Sequence, residues 1–385
     1  MKPLQDVRIL DLSRLLPGPY CTRLLADMGA EVIKVEEPGR GDYLRSLGPC
    51  ENGVSVPFEL LNRGKKSIAL NLETKEGQEI LHRLIARVDV VLESFRPGTA
   101  KKLGCDFDTV RRLNPQIVYC SLTAFGQTGP YRNLPAHDIN CLALSGFLSL
   151  NGKDKPVVPA MQVADLAGGM LAALTIITAL LAKHQRKEAQ CIDASMLDAL
   201  LSWLTIPLAL HMDGNVSMLA GELPFYRPYQ TRDSKFITVG AIEPQFWEGL
   251  CKSIGRPDLI PDQFSTEPRR SEVIEAMQSA IAAKTSEEWF QLMRELELPV
   301  TPLLTLDEVV HNPQARDRQM IITRDGTPSR LTYLGNPCKI SSLDPIDIVP
   351  SPKLGQHSEE LLKEVGFAES EIKMLFDRGV VEQNS

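Results

Sequence analysis

Residues 7–35 constrain the fold more than any other stretch. Val7 to Leu12 (VRILDL) is an apolar run of strand length. Pro17 and Pro19 follow, then Tyr20 to Met28 (YCTRLLADM) with helical spacing, Gly29 as its C-terminal cap, and Glu31 to Val35 (EVIKV) as a second strand. Strand, helix and strand in so short a span join as a βαβ unit, whose two strands lie parallel in one sheet. The alternation continues. Ser67–Leu70 reads as strand, Glu76–Arg87 as amphipathic helix, and Val88–Leu92 as a strand ending at Glu93-Ser94-Phe95. Phe107–Leu113 reads as helix and Ile117–Leu122 as strand, before a Gly- and Pro-rich loop, TAFGQTGPYRNLPAHD. In such a sheet ligands gather at the carboxyl ends of the strands, and these loops lie there. The first βα turn, LLPGPYC, lacks G-x-G-x-x-G, and no Walker A sequence is present, so a nicotinamide dehydrogenase or P-loop enzyme is excluded.

Further along, Asp138–Leu148 is expected to be helical. A long helix opens at Asp165 and runs to about Lys187, with Gly168 and Gly169 allowing close approach of another backbone or a ligand. Its apolar stretch, Leu171–Leu181, is interrupted by Thr175 and Thr178 and is expected to be too short for a bilayer. Cys191–Asp193 follows as strand and Ala194–Leu208 as helix. Near residue 222 the character changes. LPFYRPYQTRDSKFITVGA alternates like a hairpin, with Arg232-Asp233 near its turn. Pro244–Ile254, Glu272–Ala283 and Glu287–Leu296 read as helices, and PVTPLLT leads into a helix at Leu306–Val310. The expected organisation is a large domain begun by 1–205, a linker at 206–222, a small α+β domain at 223–325, and a return to the large domain over 326–385. The tail, GQHSEELLKEVGFAESEIKMLFDRG, reads as two short helices.

Composition matters here for charge and thiols. The net charge is −7 over 385 residues, which disfavours general binding to nucleic acid or anionic membrane. An anionic ligand then requires a local basic patch. The eight cysteines form no Cys-x-x-Cys pair, and no convincing metal-ligand cluster stands out. The opening MKPLQDVRILDL is too polar for a signal peptide, so reduced thiols and a cytoplasmic location are expected.

Four features could carry chemistry. Asp165 in QVADLAGGM is a carboxylate at a helix start, readable as an N-cap or as a base or nucleophile facing the glycines. His137-Asp138 in PAHDIN offers a proton-transfer side chain at the sheet edge, with Asp138 able to cap the following helix. Glu243 in AIEPQFW sits between an apolar strand and a helix, where a glutamate also suits the helix dipole. Finally, Lys34, Arg40, Arg63, Lys65, Lys66, Arg96, Lys101 and Lys102 flank strand ends; such cations lie on solvated faces or pair with phosphate oxygens.

Together these residues identify a resemblance. VRILDLSRLLPGPYCTRLLADMGAEVIKVEEPGRGD, NRGKKSIALNL, ESFRPGTAKKLG, AFGQTGPY, VADLAGGM, DASMLDAL and the GQHSEELL tail resemble the family III CoA-transferase superfamily, also called CaiB/BaiF. The resemblance implies an α/β protein with a Rossmann-like large domain and an inserted small α+β domain. It also implies a ring-shaped protomer and an interlocked homodimer whose active site is shared between subunits. An acyl-CoA is the implied substrate, with CoA as its only cofactor-like part and none bound permanently. Metal, nucleic acid and membrane play no part.

AHDINCLALSG, VADLAGGM and VGAIEPQFW resemble the α-methylacyl-CoA racemase branch, which implies His137, Asp165 and Glu243 as catalytic residues for α-proton removal and return through an enolate. The transferase alternative makes Asp165 a nucleophile that forms a mixed anhydride and then an aspartyl-CoA thioester. The long segment GDYLRSLGPCENGVSVPFELLNRGKKS resembles that branch, and Glu37 stands where racemases often carry arginine. A non-catalytic acyl-CoA-binding protein is the third class. By the same resemblance Leu15, Leu16, Pro17, Lys34, Phe95, Arg96, Lys102 and Asp138 are the expected CoA contacts.

Overall fold

The computed structural model describes residues 2–152, 155–212, 214, 220–323, 331–341 and 343–384. Its chain divides into two compact units, one of residues 1–147, 158–202 and 314–385, the other of residues 148–157 and 203–313. The expected boundary at 325/326 and residues 213 and 215–219 of the expected linker lie outside the described residues.

The first unit is built on a seven-stranded sheet. Its strands are β1 (Arg8–Asp11), β2 (Glu31–Glu36), β3 (Lys66–Leu70), β4 (Val90–Glu93), β5 (Val118–Thr123) and β6 (Gln190–Ser195), with a final edge strand at Val381–Glu382. Their order is β3-β2-β1-β4-β5-β6, and all these neighbours are parallel. This is the doubly wound order, in which the chain runs outward from β1 through β2 to β3 and then crosses back to β4 on the other side of β1. Ile9 sits opposite both Val32 and Val90, so the centre of the sheet is β-branched and dry, as a sheet covered on both faces requires. Val381–Glu382 was not expected; it runs antiparallel to β3 and covers that edge.

Helix α1 (Pro17–Asp27) starts earlier than expected, because a proline at the first helical position loses no hydrogen bond. Helices α2 (Lys75–Ile85) and α3 (Phe107–Leu113) occupy their expected stretches. Helix α4 (Asp138–Leu144) stops short of Leu148, since Gly146 turns the chain at φ +80°. Helix α5 (Val163–Arg186) is the β5-to-β6 crossover and packs on α1, α4, β5 and β6. The expected helix over 194–208 is two pieces, α6 (Met196–Ser202) and α7 (Thr205–Met212). Thr175 and Thr178 do not interrupt α5. Their hydroxyls donate to the carbonyls of Leu171 (2.9 Å) and Leu174 (2.9 Å), one turn back. By length and composition Val163–Lys183 is therefore long enough to cross a membrane, contrary to the sequence expectation; here it lies along the sheet as a crossover.

The second unit holds an antiparallel sheet of β7 (Tyr226–Gln230), β8 (Phe236–Gly240) and β9 (Val300–Pro302), in the order β9-β8-β7. Helices α8 (Pro244–Ser253), α9 (Arg269–Ile281) and α10 (Ser286–Glu295) belong to the same unit, and their inward side chains share one core with the sheet. Trp247 and Trp289 fill that core and satisfy their indole N–H groups on the carbonyls of Ile260 (3.0 Å) and Ile281 (2.7 Å). Strand β9 falls in PVTPLLT, where Pro302 is tolerated because the strand is at an edge.

Candidate active site

A cavity of about 350 Å³ opens at the carboxyl ends of β1 to β4, on the side where strand order reverses. Segments 12–14, 34–38 with 41–42, 70–73, and Phe95, Thr99 and Leu103 line it. Two buried charges shape its floor. Lys34 Nζ pairs with Asp42 (2.8 Å) and donates to the Ser13 carbonyl (2.9 Å), and Asp42 accepts the backbone N–H of Leu15 (3.1 Å). Leu15 is held at φ +65°, a conformation L-residues rarely adopt, and the loop it begins passes Pro17 to α5. A Cβ on Gly169 would lie 2.6 Å from the Pro17 carbonyl oxygen, so the glycine is what lets α1 and α5 meet. At the other wall, Glu93 accepts the Phe95 N–H (2.7 Å) and bonds to Ser121; burial pushes its carboxyl above the usual range.

Of the expected CoA contacts, Lys34 and Phe95 line this cavity, whereas Leu15, Leu16 and Pro17 are not among the lining residues. Lys34 is fully buried and already paired, so its charge serves the protein's own loop. The expected basic patch is likewise divided. Lys65 is buried against Asp11 (3.4 Å) and Thr22 (2.7 Å), Arg63 is paired with Asp27 (2.7 Å), and Lys66 with Glu360 (2.8 Å). Burial and the neighbouring Lys34 pull Lys65 down to about 8 against the opposing attraction of Asp11. Arg96, Lys101 and Lys102 are exposed and make no ion pair among the described residues; Arg96 and Lys102 adjoin the lining residues Phe95 and Leu103. Sequence reasoning missed Arg14, which lines the cavity and donates to the Tyr43 hydroxyl (2.8 Å). The guanidiniums of Arg14 and Arg40 both lie over the Tyr43 ring, 5.1 and 4.8 Å from its centre. Arg14 stands in SRLLPG, read only as part of a resemblance, whereas Arg40 in PGRGDY was among the candidate cations.

The loop after β5 leads into α4, with His137 at its N-cap. His137 is exposed, and its backbone N–H donates to Asn140 Oδ1 (3.0 Å). Asp138 is not the N-cap of α4 but its first residue, and its Oδ1 turns to another helix. That oxygen accepts the backbone N–H groups of Ala164 (2.6 Å) and Asp165 (3.2 Å), at the start of α5. Asp165 is thus not the N-cap of α5 but lies within its first turn. Burial and the nearby charge of Asp138 push the Asp165 carboxyl up to about 7. A group of that proton affinity can both take and give a proton near neutral pH. In the second unit Glu243 is the N-cap residue of α8 but makes no side-chain cap bond, and it is exposed. Gln263 Nε2 fixes the strand end before it by donating to the Ile242 carbonyl (2.7 Å). Among the described residues no group of three His, Cys, Asp or Glu side chains could hold a metal ion.

A doubly wound sheet with a cavity of about 350 Å³ at its switch point and a buried carboxyl in the first turn of the crossover helix define an α/β protein with a candidate ligand site, and known proteins assign its family. The family model described as CoA-transferase family III matches residues 4–358, and the chain belongs to that family. It is 39% identical to the α-methylacyl-CoA racemase of Homo sapiens, over 99% of this chain and 98% of that one. It is 33% identical to the succinyl-CoA:glutarate CoA-transferase of Mus musculus, over 100% and 91%. A crystal structure of a CaiB/BaiF family protein from Brucella suis superposes with a TM-score of 0.83 at 28% identity, covering 94% of this chain and 99% of that one.

Proposed function

We propose that this protein racemises a 2-methylacyl-CoA thioester at its α-carbon. One base removes the α-proton, the C–H electron pair moves into the thioester to form an enolate, and a proton returns to the opposite face of the same carbon. His137 and Asp165 are the bases on the two faces, and Glu243, supplied by a second subunit, orients His137. The observation that carries this reading is the 39% identity to an α-methylacyl-CoA racemase over 99% of this chain, and the placement of Asp165 in the first turn of the crossover helix, its carboxyl raised by burial to about 7, agrees with it. A base that must alternate between acid and base is best tuned there, whereas a nucleophile works only in its ionised form.

CoA lies in the cavity of the first unit, its phosphates met by Arg14, Arg40, Arg96 and Lys102, while Lys34 holds the Asp42–Leu15 loop. CoA enters as part of the substrate, with no resident cofactor. The working form is an interlocked dimer. Two apolar surfaces support a second copy: helix α7 has no buried residue and exposes Ile206, Leu208 and Met212, and α5 exposes Met170, Leu174 and Leu181 along one stripe.

Transferase relatives keep a second reading in play, in which Asp165 attacks the thioester carbonyl, expels CoA as thiolate and forms a mixed anhydride. One experiment separates the two. Purified protein is incubated with (S)-2-methylacyl-CoA in D2O, and deuterium at Cα and chirality are followed. Deuterium uptake with loss of chirality is expected, reduced by roughly 100-fold or more in Asp165→Ala and His137→Ala. No uptake across several chain lengths, with a hydroxylamine-sensitive adduct on Asp165, would overturn the racemase reading.

A further inference from the structure

Helix α5 begins without a cap of its own. Its N-cap residue, Gln162, makes no side-chain bond to the first turn. An N-cap side chain ordinarily accepts the N–H of the second or third helical residue. Here both of those N–H groups, on Ala164 and Asp165, go to a single oxygen of Asp138. Asp138 lies 26 residues before Ala164 and is itself the first residue of α4, immediately after His137. One carboxylate therefore ties the backbone beside His137 to the backbone that carries Asp165.

We propose that Asp138 is a positioning residue for Asp165: from α4 it supplies the cap that the first turn of α5 lacks, fixes the two candidate bases in register, and sets a second negative charge beside Asp165. The role in proton transfer rests on the racemase reading; the role as a cap does not. The charge has a direct consequence. Burial raises the Asp165 carboxyl most and the neighbouring Asp138 carboxylate, opposing a second anion, adds to it, so Asp165 keeps its proton to about pH 7. The elements packed on α5 carry other titratable groups: His137 at the N-cap of α4 and Cys141 within it, Tyr20, Cys21, Arg23 and Asp27 on α1, Asp198 on α6, Tyr119 and Cys120 on β5, and Cys191 and Asp193 on β6. Of these and Asp138, Asp138 is the one whose charge bears on Asp165. Cys141, raised to about 12, stays neutral at physiological pH.

Three variants test this. Asp138→Asn keeps an oxygen acceptor and removes the charge. Asp138→Ala removes both. Asp138→Ala with Gln162→Ser returns a local cap without the charge. The readout is the titration of the Asp165 carboxyl by carbon NMR of aspartate-labelled protein, assigned by loss of its signal in Asp165→Asn, together with thermal melting and the pH profile of α-proton exchange. In Asp138→Asn the Asp165 titration and the corresponding limb of the profile should both move down by about one pH unit or more, with KM little changed. Asp138→Ala should melt lower and lose exchange through kcat. Gln162→Ser should restore its melting but not its Asp165 titration. Unchanged Asp165 titration in both Asp138→Asn and the double variant would overturn the proposal even if exchange proceeds normally. A shifted titration in a protein whose wild type exchanges no α-proton would instead sink the racemase reading and leave the positioning role standing.

Discussion

A carboxyl that keeps its proton to about pH 7 costs the folded state stability. Asp165 has an ordinary value of 3.8 and a folded value of about 7. Between those pH values the folded protein holds a proton that the unfolded chain has released, so stability falls as pH rises through this window and the loss is complete above it. About 3 pH units correspond to at most about 4 kcal/mol. Asp165→Asn removes the titration, and its melting temperature should exceed wild type most near pH 8, with the gain vanishing near pH 4. Melting curves across that range check this; a gain independent of pH would contradict an origin in the ionisation of Asp165. Residue type and spacing in the sequence marked Asp165 as a candidate, but its proton affinity was hidden there, because it depends on Asp138 and on burial.

At the scale of elements, the α1–α5 contact and the charged seam beneath β1 are the sensitive points. Gly169→Ala would gain about 1 kcal/mol of helix propensity. Against that, its Cβ would stand 2.6 Å from the Pro17 carbonyl oxygen and 3.0 Å from Tyr20 Cδ1, and the backbone oxygen cannot rotate away. Overpacking of this kind costs about 1–3 kcal/mol, so the variant should melt lower, and it should bind CoA more weakly because Pro17 continues the loop fixed by Asp42. Beneath β1, Lys65→Met leaves Asp11 buried without its nearest cation; a loss of about 3–5 kcal/mol is expected in denaturant melts. Strand and helix order was legible because parallel strands are apolar throughout and crossover helices are amphipathic. The fate of the lysines was not. A lysine beside a strand reads alike whether it faces solvent or a buried aspartate far along the chain.

For the whole molecule, the apolar surface left on α5 and α7 is the property to test. Sedimentation should give twice 42.7 kDa for the wild type, and Ile206→Glu with Leu208→Glu should reduce the mass to a single chain. If Glu243 acts in the partner's site, co-expressed Asp165→Ala and Glu243→Ala subunits should recover exchange that neither shows alone. No recovery in a confirmed mixed dimer would place Glu243 outside the shared site.

The sequence by itself determined the βαβ alternation, the parallel sheet, the candidate carboxylates and the absence of a dinucleotide fingerprint, because these follow from periodicity and residue type over short spans. Family membership was legible for the same reason, through ordered local motifs such as VADLAGGM and ESFRPGTAKKLG. Tertiary structure alone decided which cations stay in solvent, that Lys34 serves Asp42, and that Asp138 caps a helix it does not belong to. Each of these depends on desolvation or on a hydrogen bond between segments distant in sequence, and neither leaves a local pattern to read.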